Sequence, residues 1–234
     1  MLQRMMILLA FVFSTLPALA GELSVAQRLD ALLAEEIPAL GNQARVPVID
    51  DEVFLRRVSL DLIGRAATAS EVTKFTLDPS PQKRENVVRA LLANEKYGEN
   101  WSRYWRDVIM YRRTEQRALF AAQPLAEYLA KELNNNSPWS KVATDMITAS
   151  GDVAEHGNAA LIVAQEGRPE ETVAEISRIF LGIQIQCAQC HDHKTDRWKR
   201  EQFHQLAAFF PRVASRPDLL NQRTILVEVN DRPF

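Results

Sequence analysis

Cysteine is nearly absent from this chain: two residues in 234. Two cannot staple a disulfide scaffold, so wherever they sit is informative. Glycine and proline are also scarce, at eight and eleven residues, about 8% of the chain against about 12% in average usage. An all-β sandwich needs a turn roughly every 8–12 residues, so that class is excluded as the main architecture. Charge of one sign is lacking as well. The 28 basic and 30 acidic residues leave a formal net charge of −2, with no block of five like charges. A nucleic-acid binder shows a basic stripe or excess, and none is present. Gly-rich phosphate loops, Gly-x-Ser-x-Gly elbows and paired-carboxylate signatures are missing too. With 47% hydrophobic and 25% charged residues, the composition is that of an ordinary globular domain.

The one long apolar run lies at the start. Arg4 precedes Met5 to Leu16, and Ala18-Leu19-Ala20 offers an Ala-x-Ala cleavage site before Gly21. Twelve apolar residues are too few to span a bilayer core of about 30 Å, so residues 1–20 read as a signal peptide. The mature protein is then expected outside the cytoplasm, periplasmic or at the cell surface or secreted, with no transmembrane span after cleavage.

Beyond residue 20 the pattern is mainly α. Leu29, Leu32, Leu33 and Ile37 recur at helical spacing in an N-terminal segment (21–50). Asp50 or Asp51 caps a helix through Phe54, Leu55, Val58 and Leu62. Thr68-x-x-Glu71 is a capping box. Ser80-Pro81 and Ser137-Pro138 each place proline after a capping residue. The first should open a helix with Val87, Val88, Leu91 and Leu92 as its buried stripe, the second a helix carrying Val142 and Met146. Gly98 interrupts before the Trp101–Val108 pattern, and Asn134 to Asn136 form a loop. Ala159 to Ala164 is a short buried helix or a strand. A long helix from Pro169 or Glu170 runs toward Cys187, and Arg200 to Phe210 forms another that Pro211 stops. Thr224 to Val229 reads as a single strand without a partner, in a C-terminal tail (212–234). The expected fold is a multi-helix domain over 51–211 with a short C-terminal strand, not a small class I cytochrome c fold.

Both cysteines fall in Cys187-Ala188-Gln189-Cys190-His191, the attachment motif for haem c. On a helical turn, positions i, i+3 and i+4 share a face. The two thiols then reach the vinyl groups while His191 meets the iron. The same residues allow a zinc site from Cys187, Cys190, His193 and His204, or a simple disulfide or thiol pair. Either would make a haem-free structural or interaction domain.

No methionine follows the motif, so either an opposite iron ligand would come from Met146, Met110, His204 or His156, or the iron would be five-coordinate. Asp192 and Asp196 could accept the second ring N–H of a ligating histidine. Arg56, Arg57 and Arg197 could pair with haem propionates.

Phe54-Leu55-Arg56-Arg57-Val58-Ser59-Leu60-Asp61-Leu62-Ile63-Gly64, then Tyr97-Gly98 with Trp101 and Trp105, precede the block Cys187-Ala188-Gln189-Cys190-His191-Asp192-His193. Asp196, Trp198, Phe203 and Phe210 follow it. This set, over roughly residues 51–211, resembles the planctomycete-type, cytochrome-c-associated domain of unknown function. The resemblance implies an exported, mostly helical protein, found beside other cytochrome c domains, with no assigned reaction. Arg65-Ala66-Ala67-Thr68 stands where that family has a proline-bearing turn. Members also continue into a second large domain, so a truncated or split member is expected here, with that domain or another cytochrome c domain as partner.

Overall fold

The computed structural model describes residues 24–36, 48–114, 116–210, 212–218, 220–221 and 223–229. The proposed signal peptide lies outside them. Contacts divide the chain into two units, residues 1–48 and 49–234. In the first unit α1 (Val25–Glu36) carries Leu29, Leu32 and Leu33, all about half exposed; Ile37 is outside the described residues.

The second unit is mainly helical. Helix α2 (Asp51–Ile63) opens on Asp50, whose carboxylate accepts the Val53 N–H at 2.8 Å. Helix α3 (Ala69–Thr76) opens on the expected box: the Thr68 hydroxyl takes the Glu71 N–H and the Glu71 carboxylate takes the Thr68 N–H. Each satisfies a donor that the helix start leaves unpaired. Helix α4 (Lys83–Leu92) begins two residues later than proline at the first position requires, because Ser80 to Gln82 close a turn on the Ser80 hydroxyl. Its expected apolar stripe is only half-buried, and Leu92 is exposed.

Helix α5 (Glu95–Met110) passes straight through Gly98. That glycine is no interruption; it is where α6 (Ala122–Asn134) comes close. A Cβ there would press on the Ala130 carbonyl and stand 2.6 Å from the Asn134 amide. The Gly98 N–H donates to Asn134 Oδ1 at 2.9 Å. Sequence pattern assigns no element between Tyr111 and Asn134, yet α6 supplies Leu125 and Leu129, both 0% exposed. Helix α7 (Trp139–Ile147) starts after Pro138 without a side-chain cap from Ser137.

Strand β1 (Gly151–Asp152) leads to a 3₁₀ turn at Gly157–Ala159 and α8 (Ala160–Val163), so the ambiguous Ala159–Ala164 stretch is helical and wholly buried. Helix α9 (Pro169–Phe180) follows, with Glu170 and Glu171 at its positive end. It stops well short of Cys187. Gly182 turns the chain at φ 67°, a conformation glycine adopts without a Cβ penalty. The Ile183 N–H then folds back on the Ser177 carbonyl at 3.1 Å. Beyond the loop comes α10 (Arg200–Ala207).

The C-terminal strand is not alone. Strands β2 (Val213–Asp218) and β3 (Arg223–Glu228) form an antiparallel hairpin, with Ser215 opposite Leu226, and β1 pairs the other edge of β3. Leu226 from β3 joins the same core as Met146, Leu161 and Phe203.

Candidate functional site

Cys187 lies not on a regular α-helix but in a single 3₁₀ turn, Gln186–Gln189, and Cys190 caps the end of that turn. Ala188 pins that turn: it is 0% exposed, and its N–H donates to the Ile185 carbonyl at 2.8 Å. Burying the residue between them throws Cys187 and Cys190 outward, and both are exposed free thiols. Helix α10 packs against the turn and against α9. From α10, His204 Nε2 meets the Gln189 carbonyl at 3.0 Å. A carbonyl only accepts, so Nε2 carries the proton and donates.

His191 is exposed, and its Nδ1 lies 2.7 Å from the Asp192 carbonyl oxygen. The same reasoning puts the proton on Nδ1, which leaves Nε2 with a free lone pair. A ligating histidine is commonly held this way, with one ring nitrogen donating to an oxygen and the other free for metal. The sequence offers a carboxylate, Asp192 or Asp196, as one source of that oxygen. Here it is the backbone carbonyl of Asp192, because the Asp192 carboxylate is engaged elsewhere. Its Oδ1 accepts the Arg200 N–H at 3.0 Å and its Oδ2 accepts from Lys199 Nζ at 3.0 Å. Arg200 is the first residue of α10, so the carboxylate satisfies one of that helix's unpaired donors. The Arg200 N–H first, then Lys199, hold the Asp192 carboxyl below the usual carboxylate range. Asp196 likewise caps locally, accepting the Arg197 N–H at 2.7 Å.

Beside the turn lies an apolar cleft of about 110 Å³, walled by Leu181, Ile183, Ile185, Ala188, Trp198 and Phe203. Pockets that enclose a small molecule run to roughly 300–1,000 Å³, so this cleft alone does not enclose a macrocycle. The Arg197 guanidinium stacks over Trp198 at 5.0 Å, which keeps a cation at the cleft wall. Arg56 and Arg57 lie exposed on α2, which packs on α3, α4 and α5.

The other sequence candidates are scattered. Met146 is 0% and Met110 4% exposed, both inside the hydrophobic core. His156 is exposed at a separate polar cleft with Tyr128 and Asp145. Of the zinc alternative, His193 Nδ1 accepts the Thr195 N–H at 3.3 Å, and His204 is committed to Gln189. Among the described residues no three His, Cys, Asp or Glu side chains are gathered to hold a metal ion. Sequence reading did not identify His204 as the brace of the turn; its only signal was a histidine on the face of α10 that also carries Phe203.

Compared with known protein families, residues 28–215 match PSCyt2, described as a protein of unknown function (DUF1549). The chain belongs to this family. No curated protein and no solved structure matches it. The PSCyt2 span reaches further than the 51–211 resemblance on both sides and takes in the cysteine turn, α10 and the start of β2. As a PSCyt2 domain of unknown function it brings no reaction with it.

Proposed function

We propose that the protein is an exported c-type haem protein with a role in electron transfer. The observation that carries this reading is the His191 ring, held by Nδ1 to the Asp192 carbonyl with Nε2 free, one residue from an exposed free thiol. The donor set suits haem: two outward thiols three residues apart and an imidazole presenting a lone pair. Cys187 and Cys190 would each add S–H across a vinyl group, forming a thioether with no leaving group. His191 Nε2 would hold the iron, and Arg197, stacked on Trp198, would pair with a propionate. Bound haem supplies one-electron redox chemistry.

Around it the chain's own residues fix geometry. Ala188 anchors the turn, His204 braces it, and Asp192 ties the following loop to α10. Export follows from the proposed signal peptide at residues 1–20. No helix among the described residues is long and apolar enough to cross a membrane. Electron exchange would be with another cytochrome c domain or a second domain of the family.

Production through a haem-attachment pathway, followed by a reduced pyridine haemochrome spectrum and metal analysis, tests the reading. A covalent c-type spectrum that Cys187→Ala and Cys190→Ala each alter is expected. Haem-free protein with stoichiometric zinc, or with a Cys187–Cys190 disulfide, overturns it in favour of a structural or interaction domain.

A further inference from the structure

Six aromatic rings form an unbroken series from the surface of α5 to the end of α9. Tyr97 and Trp101 have ring centroids 6.5 Å apart, Trp101 and Tyr104 5.7 Å, and Tyr104 and Trp105 5.5 Å. Trp105 then meets Trp139 at 4.4 Å, and Trp139 meets Phe180 at 6.0 Å. Aromatic pairs at such spacings are ordinary packing taken singly. Their order is the informative feature. Tyr104 is 55% exposed, while the inner rings are half-buried. Phe180 is the last residue of α9, the helix that packs on the cysteine turn. Its neighbour Leu181 and its helix-mate Ser177 line the cleft beside Ala188. The chain has four tryptophans. Three stand in this series, and the fourth, Trp198, walls the cleft.

We propose that the Tyr104–Trp105–Trp139 series is an electron relay between the cysteine turn and the Trp101–Tyr104 face, with Phe180 the packed, unoxidised contact between Trp139 and the end of α9. This inference rests on the haem reading of that turn. Indoles and phenols are the side chains most easily oxidised by one electron, and close ring-to-ring steps replace one long transfer by several short ones. Trp101 Nε1 is buried with no hydrogen-bond partner among the described residues. No acceptor among the described residues stands within hydrogen-bond reach of that N–H, so an indole oxidised there keeps its proton and the electron returns to the same ring. The route opens on a surface cleft of about 590 Å³ formed by Asp61, Asn100, Trp101 and Tyr104, where a one-electron acceptor can come close.

The test uses the haem-loaded protein carrying a ruthenium–polypyridyl photo-oxidant on a non-natural side chain at position 103, an exposed site next to Tyr104. A flash with an external electron acceptor leaves ruthenium(III). It takes one electron, ferrous haem gives one, the exposed Tyr104 phenol gives its proton to solvent and regains one on re-reduction, and the rings return to their starting state. Trp105→Phe and Trp139→Phe keep a ring in place but remove the easily oxidised indole. Each is expected to slow haem oxidation by an order of magnitude, with partial recovery in Trp105→Tyr. Phe54→Leu, which breaks the separate Phe54–Phe75 pair, is expected to leave the rate unchanged. Equal rates in all variants with haem attached overturn the relay and leave the haem reading standing. The same flash on haem-free protein, followed by electron paramagnetic resonance, separates the two failures. An indole radical that reaches Trp139 only when Trp105 is present upholds the aromatic route where the haem reading has failed. A radical confined to Trp101 overturns the route itself.

Discussion

His204 Nε2 donates to the Gln189 carbonyl across 3.0 Å, so a side chain of α10 reaches into the middle of the cysteine turn. Gln189 directly precedes Cys190, and its carbonyl belongs to a one-turn 3₁₀ segment with few bonds of its own. Ala188 holds this turn from below by burial and His204 from the side by a hydrogen bond. Neither contact involves the thiols, which leaves both free to react.

Removing the brace should loosen the turn. His204→Ala leaves the Gln189 carbonyl without its donor, and a lost hydrogen bond of this kind costs about 1 kcal/mol. His204→Gln keeps a donor and should retain part of it. Denaturant titration gives the stability change, and the haemochrome yield reports how well the loosened turn still accepts haem. An unchanged stability in His204→Ala means the bond does not brace the turn.

What could be read from sequence was local. Asp50, the Thr68–Glu71 box and the start of α9 each act within four residues of themselves, and all three stand as read. The candidate haem residues were legible for the same reason, since five consecutive positions carry the motif. Distant partners were not. Gly98 looks like a break until Asn134 is beside it, and β2 carries Pro217, which hides a strand whose partners are β3 residues. Helix α6 has Pro124 in its first turn, a helix start without a polar cap to announce it. Asp192 reads from sequence equally as a partner of His191 or as a capping residue, and only the start of α10, eight residues on, shows which group takes its carboxylate.

Glu71 gives a pH dependence of defined sign. Arg65 first, then the Thr68 N–H, lower its carboxyl from the ordinary 4.5 to about 2. A depressed folded-state value stabilises fully above the unfolded value and is lost as pH falls through the folded one. Glu71→Gln keeps the capping geometry and removes the charge. Wild type should therefore exceed Glu71→Gln by a constant margin above about pH 5. That margin should vanish between pH 4.5 and about 2. Arg65 and Glu71 are 38% and 45% exposed, so the margin is below about 1 kcal/mol. Urea titrations of both proteins across this range measure it, and a margin that grows toward acid contradicts the assignment.

The two methionines should be silent toward iron. Met110 and Met146 lie in the hydrophobic core, and a thioether would have to leave that packing to ligate. Met110→Leu and Met146→Leu conserve volume and should each cost less than about 1.5 kcal/mol. Oxidised and reduced spectra of haem-loaded protein should match wild type in both. A changed spin state in either variant would show that its sulfur does reach the iron.

Glu175 and Arg178 tie α9 to the end of α5. The Glu175 side chain is 4% exposed, and Arg178 gives its Oε2 two bonds, at 2.9 Å from Nε and 2.6 Å from Nη2. The same guanidinium donates to the Val108 carbonyl at 2.7 Å, and Arg112 lies 3.8 Å from the other carboxylate oxygen. Removing Glu175 leaves the Arg178 guanidinium without its counterion, and removing Arg178 leaves the Glu175 carboxylate with Arg112 alone at 3.8 Å; a loss of this kind costs up to about 3–5 kcal/mol. Glu175→Leu and Arg178→Met should each show that loss in denaturant titration. The double variant replaces the pair with apolar side chains and should cost clearly less than the two losses added together. The Val108 carbonyl, left without its donor, keeps the double variant from reaching wild-type stability. Additive losses would mean that the two charges do not depend on each other.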